Sequence, residues 1–267
     1  MRRGVSSFAF GWAVQDARGA FSETTLLAFA RRHGVQVVQL GDNLPVHEMS
    51  PERLATLIES AADAGIELEF GAAGLTEEHL RTYLLLCARC GVSLLRFVAD
   101  AQGYAPSPNE LTALLRNGLP ELETAGVSLA LENHDRHGAA TLRGIIEAVG
   151  SPRVGICLDT ANSLGAGEGL GCVSEILAPL TLNLHVKDVA IRRLQHKMGF
   201  VIEGRPLGEG QLPIAETIRR VAAAGRCRSV ILEGWTPPAG EMEDTLRREH
   251  ASAEAGIILL ETLLREG

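Results

Sequence analysis

Four short apolar runs in the second half of the chain each end in a side chain of the metal-binding type. Ser-Leu-Ala-Leu ends at Glu132, Val-Gly-Ile-Cys-Leu at Asp159, Leu-Asn-Leu at His185 and Ser-Val-Ile-Leu at Glu233. The four stand 27, 26 and 48 residues apart. That rhythm suits successive strands of a parallel barrel, with one polar residue at each strand's end. Three carboxylates and one imidazole make a hard, oxygen-rich donor set. Such a set suits one divalent cation, Mn²⁺ first, with Mg²⁺, Co²⁺ and Zn²⁺ as alternatives. Four protein ligands leave two octahedral positions for water or substrate, an open arrangement suited to catalysis.

For the four to meet, the remaining elements must close a barrel around them. Strands are expected over residues 5–10, 35–40, 66–70 and 94–99, followed by the four runs above. Helices alternate with them. Ser22 caps one that runs to Arg32, Ser50-Pro51-Glu52 opens one that ends at Ala64-Gly65, and Thr76-Glu77-Glu78 opens one that stops at Cys90-Gly91. More helices are expected over 110–124, 141–149, 172–177, 214–224 and 244–265. Eight strand–helix units predict an α/β fold, one (β/α)₈ TIM barrel forming a single domain over residues 1–267. An open doubly wound sheet usually carries a Gly-rich first turn. Residues 10–16, Phe-Gly-Trp-Ala-Val-Gln-Asp, supply none.

Composition agrees. The chain has 267 residues, 46% of them hydrophobic, and a net charge of −8 with no basic block. Nucleic-acid backbone and anionic membrane are therefore not expected partners. The N-terminus lacks a signal h-region, and no apolar run reaches the ~20 residues of a membrane helix. Five scattered cysteines fit a reducing compartment, so a soluble, cytoplasmic protein is expected. Cys87 and Cys90 read as residues of a helix face, since no second pair completes a zinc site.

Five stretches resemble the xylose isomerase-like TIM barrel superfamily of sugar isomerases and epimerases. They are Leu-Glu-Asn-His (131–134), Gly-Ile-Cys-Leu-Asp-Thr (155–160), Leu-His-Val-Lys-Asp (184–188), Pro-Leu-Gly-Glu-Gly (206–210) and Leu-Glu-Gly-Trp (232–235). The resemblance is clear over 127–235 and covers only the strand–helix rhythm before that. It implies one divalent metal on Glu132, Asp159, His185 and Glu233. It also implies proton removal beside a carbonyl, through a metal-stabilised enediolate. By that analogy Glu132 and Glu233 double as acid and base.

Around the quartet, His134, Asn162 and Lys187 are expected to contact substrate. Relatives often carry His where Asn162 stands, and the endonuclease branch uses it for further metals; Asn argues for one metal only. Asp188 is read as orienting a neighbour. The segment 190–212 reads as a long basic loop with Arg192, Arg193, His196, Lys197 and Arg205. Arginine forks match carboxylate or phosphate, so Arg193 and Arg205 are expected to hold an anionic substrate, and glycines 199 to 210 to let the loop close as a lid. Trp12 is placed as a wall for the sugar. Gln39, Asp42, Asn43, Glu69 and Arg96 read as rim packing.

The expected function is a divalent-metal-dependent isomerase or epimerase of a sugar or anionic sugar derivative. The alternative is a lyase on the same site, such as a decarboxylase of a 3-oxo sugar acid. A DNA-repair endonuclease would need more ligands and a basic face, and a non-catalytic sugar-binding protein would not need a full ligand set. The expected partners are a small sugar or sugar acid, and a homo-oligomer is compatible with the chain.

Overall fold

Burial decides the architecture. Strands such as Val37–Leu40, Ser128–Glu132 and Thr181–Val186 are buried at every position, so both faces need cover. A closed parallel sheet wrapped in helices provides it. The computed structural model describes residues 1–19 and 21–266. Eight strands close the barrel: β1 (Arg2–Ser6), β2 (Val37–Leu40), β3 (Glu67–Ala73), β4 (Leu94–Val98), β5 (Ser128–Glu132), β6 (Val154–Asp159), β7 (Thr181–Val186) and β10 (Ser229–Leu232). Each pairs in parallel with its neighbours, and β10 returns to β1. The eight-stranded TIM-barrel expectation is met.

Helix boundaries follow local chemistry. Ser50 accepts the backbone N–H of Arg53 at 3.2 Å and Thr76 that of His79 at 3.1 Å, so each satisfies an amide the first turn leaves open. Gly65 (φ 64°) and Gly126 (φ 68°) end their helices in the left-handed conformation that a side chain would strain. The helix expected over 110–124 is two, Pro108–Asn117 and Leu119–Ala125. Gly118 caps the first, and Pro120 sits in the opening turn of the second, where its missing N–H costs nothing.

Two expectations need correction. The first strand is Arg2–Ser6, and residues 7–10 form a 3₁₀ turn. Ser6 accepts the Phe8 amide at 3.1 Å, and the turn sends Phe10 outward to pack on Phe21 and Phe29. The basic loop after β7 is an antiparallel ribbon, β8 (Asp188–Arg193) with β9 (Phe200–Arg205). Asp188 anchors it, accepting the amides of Val189 and Leu212 on one oxygen and those of Gly208 and Gly210 on the other. A Cβ on Gly210 would collide with an Asp188 oxygen, which explains the second glycine of Gly-Glu-Gly.

The barrel interior is layered. Leu94, Ala130, Cys157 and Leu182 form an apolar floor. Gln39, Glu69, Asn183 and Ser229 form a hydrogen-bonded polar layer, so Gln39 and Glu69 stand inside the barrel and not on its rim. Burial, more than the hydrogen bonds from Ser229 and Gln39, sets Glu69's carboxyl above its ordinary value. Strand alternation carries the inward face upward from these layers. Thus Arg96 follows Leu94, Glu132 follows Ala130, and Asp159 follows Cys157. A register shift leaves Leu182 unpaired between Thr181 and Asn183, so the inward face of β7 resumes at Asn183 and reaches His185. No helix among the described residues is long and apolar enough to cross a membrane.

Candidate metal centre

The quartet meets at the C-terminal mouth of the barrel. Each of Glu132, Asp159, His185 and Glu233 offers one ligand atom, and the four atoms lie within 4.8 Å of one another. All four side chains are buried. His185 Nδ1 is 3.2 Å from Glu233 Oε1 and 3.6 Å from Glu132 Oε1. His185 Nδ1 and Glu233 Oε1 make no hydrogen bond. Buried polar atoms are rarely left so. Such atoms side by side, in a quartet of three carboxylates and one imidazole, fit a divalent cation.

Neighbouring polar groups hold the ligands in place. Asn133 accepts the Asp159 amide at 2.6 Å and donates to the Asp159 carbonyl at 2.9 Å and to Ser163 Oγ at 2.8 Å, locking the end of β5 to that of β6. Thr160 does the same between β6 and β7, donating to the Lys187 carbonyl at 2.7 Å and accepting its amide at 3.0 Å. Asp159 Oδ1 accepts the amides of Ala161 and Asn162, both at 2.8 Å. Asn162 Nδ2 donates to Glu132 Oε1 at 2.9 Å.

Two buried cations balance the carboxylates. Arg96 Nε lies 3.0 Å from Glu132 Oε2, and its Nη1 pairs with Asp42 at 3.0 Å. Gly71 makes this possible, because a Cβ there would press on the guanidinium at 3.2 Å. Lys187 Nζ lies 2.9 Å from Asp159 Oδ2 and 3.0 Å from Glu233 Oε2. Burial opposes ionisation of Glu132, but Arg96, His185 and Lys187 overcome it and hold the carboxyl well below the usual carboxylate range. Glu233 is lowered in the same way, by His185 and Lys187 against burial. Asp159 goes the other way. Its burial outweighs Lys187, and the charges of Glu132 and Glu233 add to the rise. His185 is raised, since Glu233 and Glu132 outweigh its burial.

Above the quartet opens a cavity of about 370 Å³, walled by Phe8, Asp42, Arg96, His134, Asn162, Lys187 and Trp235. His134, Asn162 and Lys187 therefore stand where substrate contact was expected, and His134 is held by Asp135 at 2.7 Å. Three other residues stand elsewhere. Trp12 does not line this cavity; its indole N–H donates to the Thr236 carbonyl at 2.8 Å, and Trp235 supplies the aromatic wall. Arg193 is at the outer end of the ribbon, stacked 4.6 Å from the Phe200 ring and donating to the Lys197 carbonyl. Arg205 bonds Glu203 at 3.1 Å and lines a second, larger cleft of about 540 Å³ behind Trp235. None of the four metal-type residues lines that cleft. Arg193→Ala is accordingly expected to leave KM within about twofold, as a surface change away from the site does; steady-state kinetics checks this.

Sequence reasoning missed Arg96 and Trp235. Arg96 had a signal: it is the one charge in the buried run Leu94–Val98, and a buried charge needs a partner.

Comparison with known proteins places these features. Residues 27–256 match the xylose isomerase-like TIM barrel family. A 3-oxo-isoapionate decarboxylase from Pectobacterium atrosepticum is 33% identical over 252 residues, 94% of this chain and 92% of that protein. Among solved structures, D-psicose 3-epimerase from Clostridium cellulolyticum H10, with D-tagatose, superposes with a TM-score of 0.74 at 15% identity over 99% of both chains. A xylose isomerase-like barrel protein from Mycobacterium smegmatis in complex with magnesium gives 0.72 at 13% identity, over 98% of this chain and 97% of that one. At such identities the structural likeness is one of fold.

Proposed function

Because the chain belongs to the xylose isomerase-like TIM barrel family, we propose that it is a divalent-metal-dependent decarboxylase of a 3-oxo sugar acid. Glu132, Asp159, His185 and Glu233 hold the cation in this reading, with Mn²⁺ preferred for a set of three carboxylates and one imidazole. Bound there, the cation supplies a Lewis acid for the substrate's 3-oxo oxygen.

The observation that carries the choice is the state of Glu132. One of its oxygens faces Arg96 at 3.0 Å and the other accepts from Asn162 at 2.9 Å. A carboxylate so firmly held as an anion is a weak base. Epimerisation needs a base on one face of a carbon and an acid on the other. Decarboxylation needs no base: the bond between the α-carbon and the carboxylate breaks, CO₂ leaves, and its electron pair remains on the α-carbon and is shared with the carbonyl. The α-carbon then takes up a proton from water. Arg96 and Lys187 both line the cavity among its carboxylates and are the cations an acid substrate could meet there, and the full-length relative named for such a reaction supports the same choice.

A second reading, isomerisation or epimerisation of a keto sugar, draws support from Glu132 and Glu233 both reaching the cavity and His185. One experiment separates the two. The protein is incubated with Mn²⁺ in D₂O with a panel of 3-oxo sugar acids and keto sugars. CO₂ release with one deuterium in the product is expected; deuterium uptake without mass loss supports the second reading and overturns the first. The proposal takes residues 1–267 as one catalytic domain. Its cytoplasmic setting rests on five free cysteines, and its partner is a small sugar acid.

A further inference from the structure

Lys187 shares its position with the cation the site is built for. Asp159 has one oxygen, Oδ1, committed to the amides of Ala161 and Asn162. Only Oδ2 remains for a metal, and Oδ2 is the atom that faces Lys187 Nζ at 2.9 Å. The Lys187 backbone is pinned on both sides by Thr160, so any adjustment falls to its side chain. One alternative place is at hand: Nζ already lies 4.9 Å from the centre of the Trp235 ring, and both residues wall the substrate cavity. A ring face attracts an ammonium group, more strongly where water is excluded.

We infer that Lys187 and the divalent cation are alternative partners of Asp159 Oδ2, and that the Lys187 side chain withdraws toward Trp235 when the site is loaded. This rests on the metal site proposed above. The withdrawn ammonium then faces the cavity, where it meets the carboxylate of an acid substrate. Lys187 thus couples loading of the site to readiness for an anion, as a positioning and specificity residue. Before loading, it sits between Asp159 and Glu233 and offsets their repulsion.

The test titrates Mg²⁺ alone into the full chain by calorimetry, and follows tryptophan emission in parallel. Lys187→Met is expected to bind Mg²⁺ about tenfold tighter than the parent, because a competing positive charge a few ångströms away is gone. In the parent, Mg²⁺ is expected to change the emission; the change is absent in Trp235→Phe and in Lys187→Met. Binding no tighter in Lys187→Met overturns the inference, and so does an unchanged parent emission. If the parent takes up no Mg²⁺ or Mn²⁺ at all, the metal site itself fails, which is a separate result. Should Lys187→Met not fold, Lys187→Gln removes the charge while keeping a donor for Asp159, and the same tightening is expected.

Discussion

Glu233→Gln is expected to lower kcat by about 10³-fold and to weaken divalent-metal binding by at least about 100-fold. The amide keeps the shape of the side chain and removes its charge. Oε1 of Glu233 is one of the buried atoms with no hydrogen bond, 3.2 Å from His185 Nδ1. An amide there presents a neutral oxygen, or turns its NH₂ toward the imidazole. The fold is not expected to suffer, because Lys187 retains Asp159 at 2.9 Å and the repulsion between Glu132 and Glu233 is relieved. That separates the two effects. The parent should gain about 2.7 kcal/mol of stability at a metal concentration 100 times its Kd, and the variant almost none at the same concentration. Thermal unfolding with and without Mn²⁺ measures this alongside activity. A variant that keeps the full metal-dependent shift removes Glu233 from the ligand set.

The quartet was legible because each member ends a buried strand, and strand ends recur at a rhythm the helices impose. Fold and ligands thus came from one signal. The side chains that tune the ligands were harder to find, since they depend on register. Arg96 reaches Glu132 only because β4 pairs with β5 so that Arg96 stands opposite Ala130, two residues before Glu132, and because Gly71 leaves room. Nothing local in Leu-Leu-Arg-Phe-Val states that partnership. The two tryptophans show the same limit. Trp12 and Trp235 both follow barrel strands, yet the 3₁₀ turn after β1 directs Trp12 to the Thr236 carbonyl. The ribbon was misread for a different reason. Its strands carry a period-two pattern, with Ile191 opposite Ile202 and Arg192 opposite Val201, but the high charge of the segment reads as solvated loop. Moving Arg193 outward and tying Arg205 to Glu203 transfers the case for an anionic substrate from the ribbon to Arg96 and Lys187.

That transfer makes Arg96 the residue whose loss should cost the fold most. Arg96→Met keeps the apolar stem and deletes the guanidinium, leaving Glu132 buried without its nearest cation and Asp42 without its partner. Breaking a buried pair from one side costs about 3–5 kcal/mol, or a Tm lower by roughly 10 °C in a chain of this size. The sign of the pH dependence follows from Glu132. In the parent its carboxyl lies below the ordinary 4.5 despite burial, chiefly through Arg96. Its contribution to stability is therefore present above pH 4.5 and lost as pH falls through the lower folded value. Without Arg96, only His185 and Lys187 oppose the burial, so the same carboxyl rises and its contribution at neutral pH shrinks. The gap between parent and variant should be widest at pH 7 and close as pH falls below 4.5. Saturating Mn²⁺ at pH 7 should narrow it too, by supplying Glu132 with another cation. Unfolding curves at pH 7, 5 and 4, with and without metal, test each part. A gap of constant size across them would mean that Arg96 acts through packing alone, and that the charge balance assigned to this site is wrong.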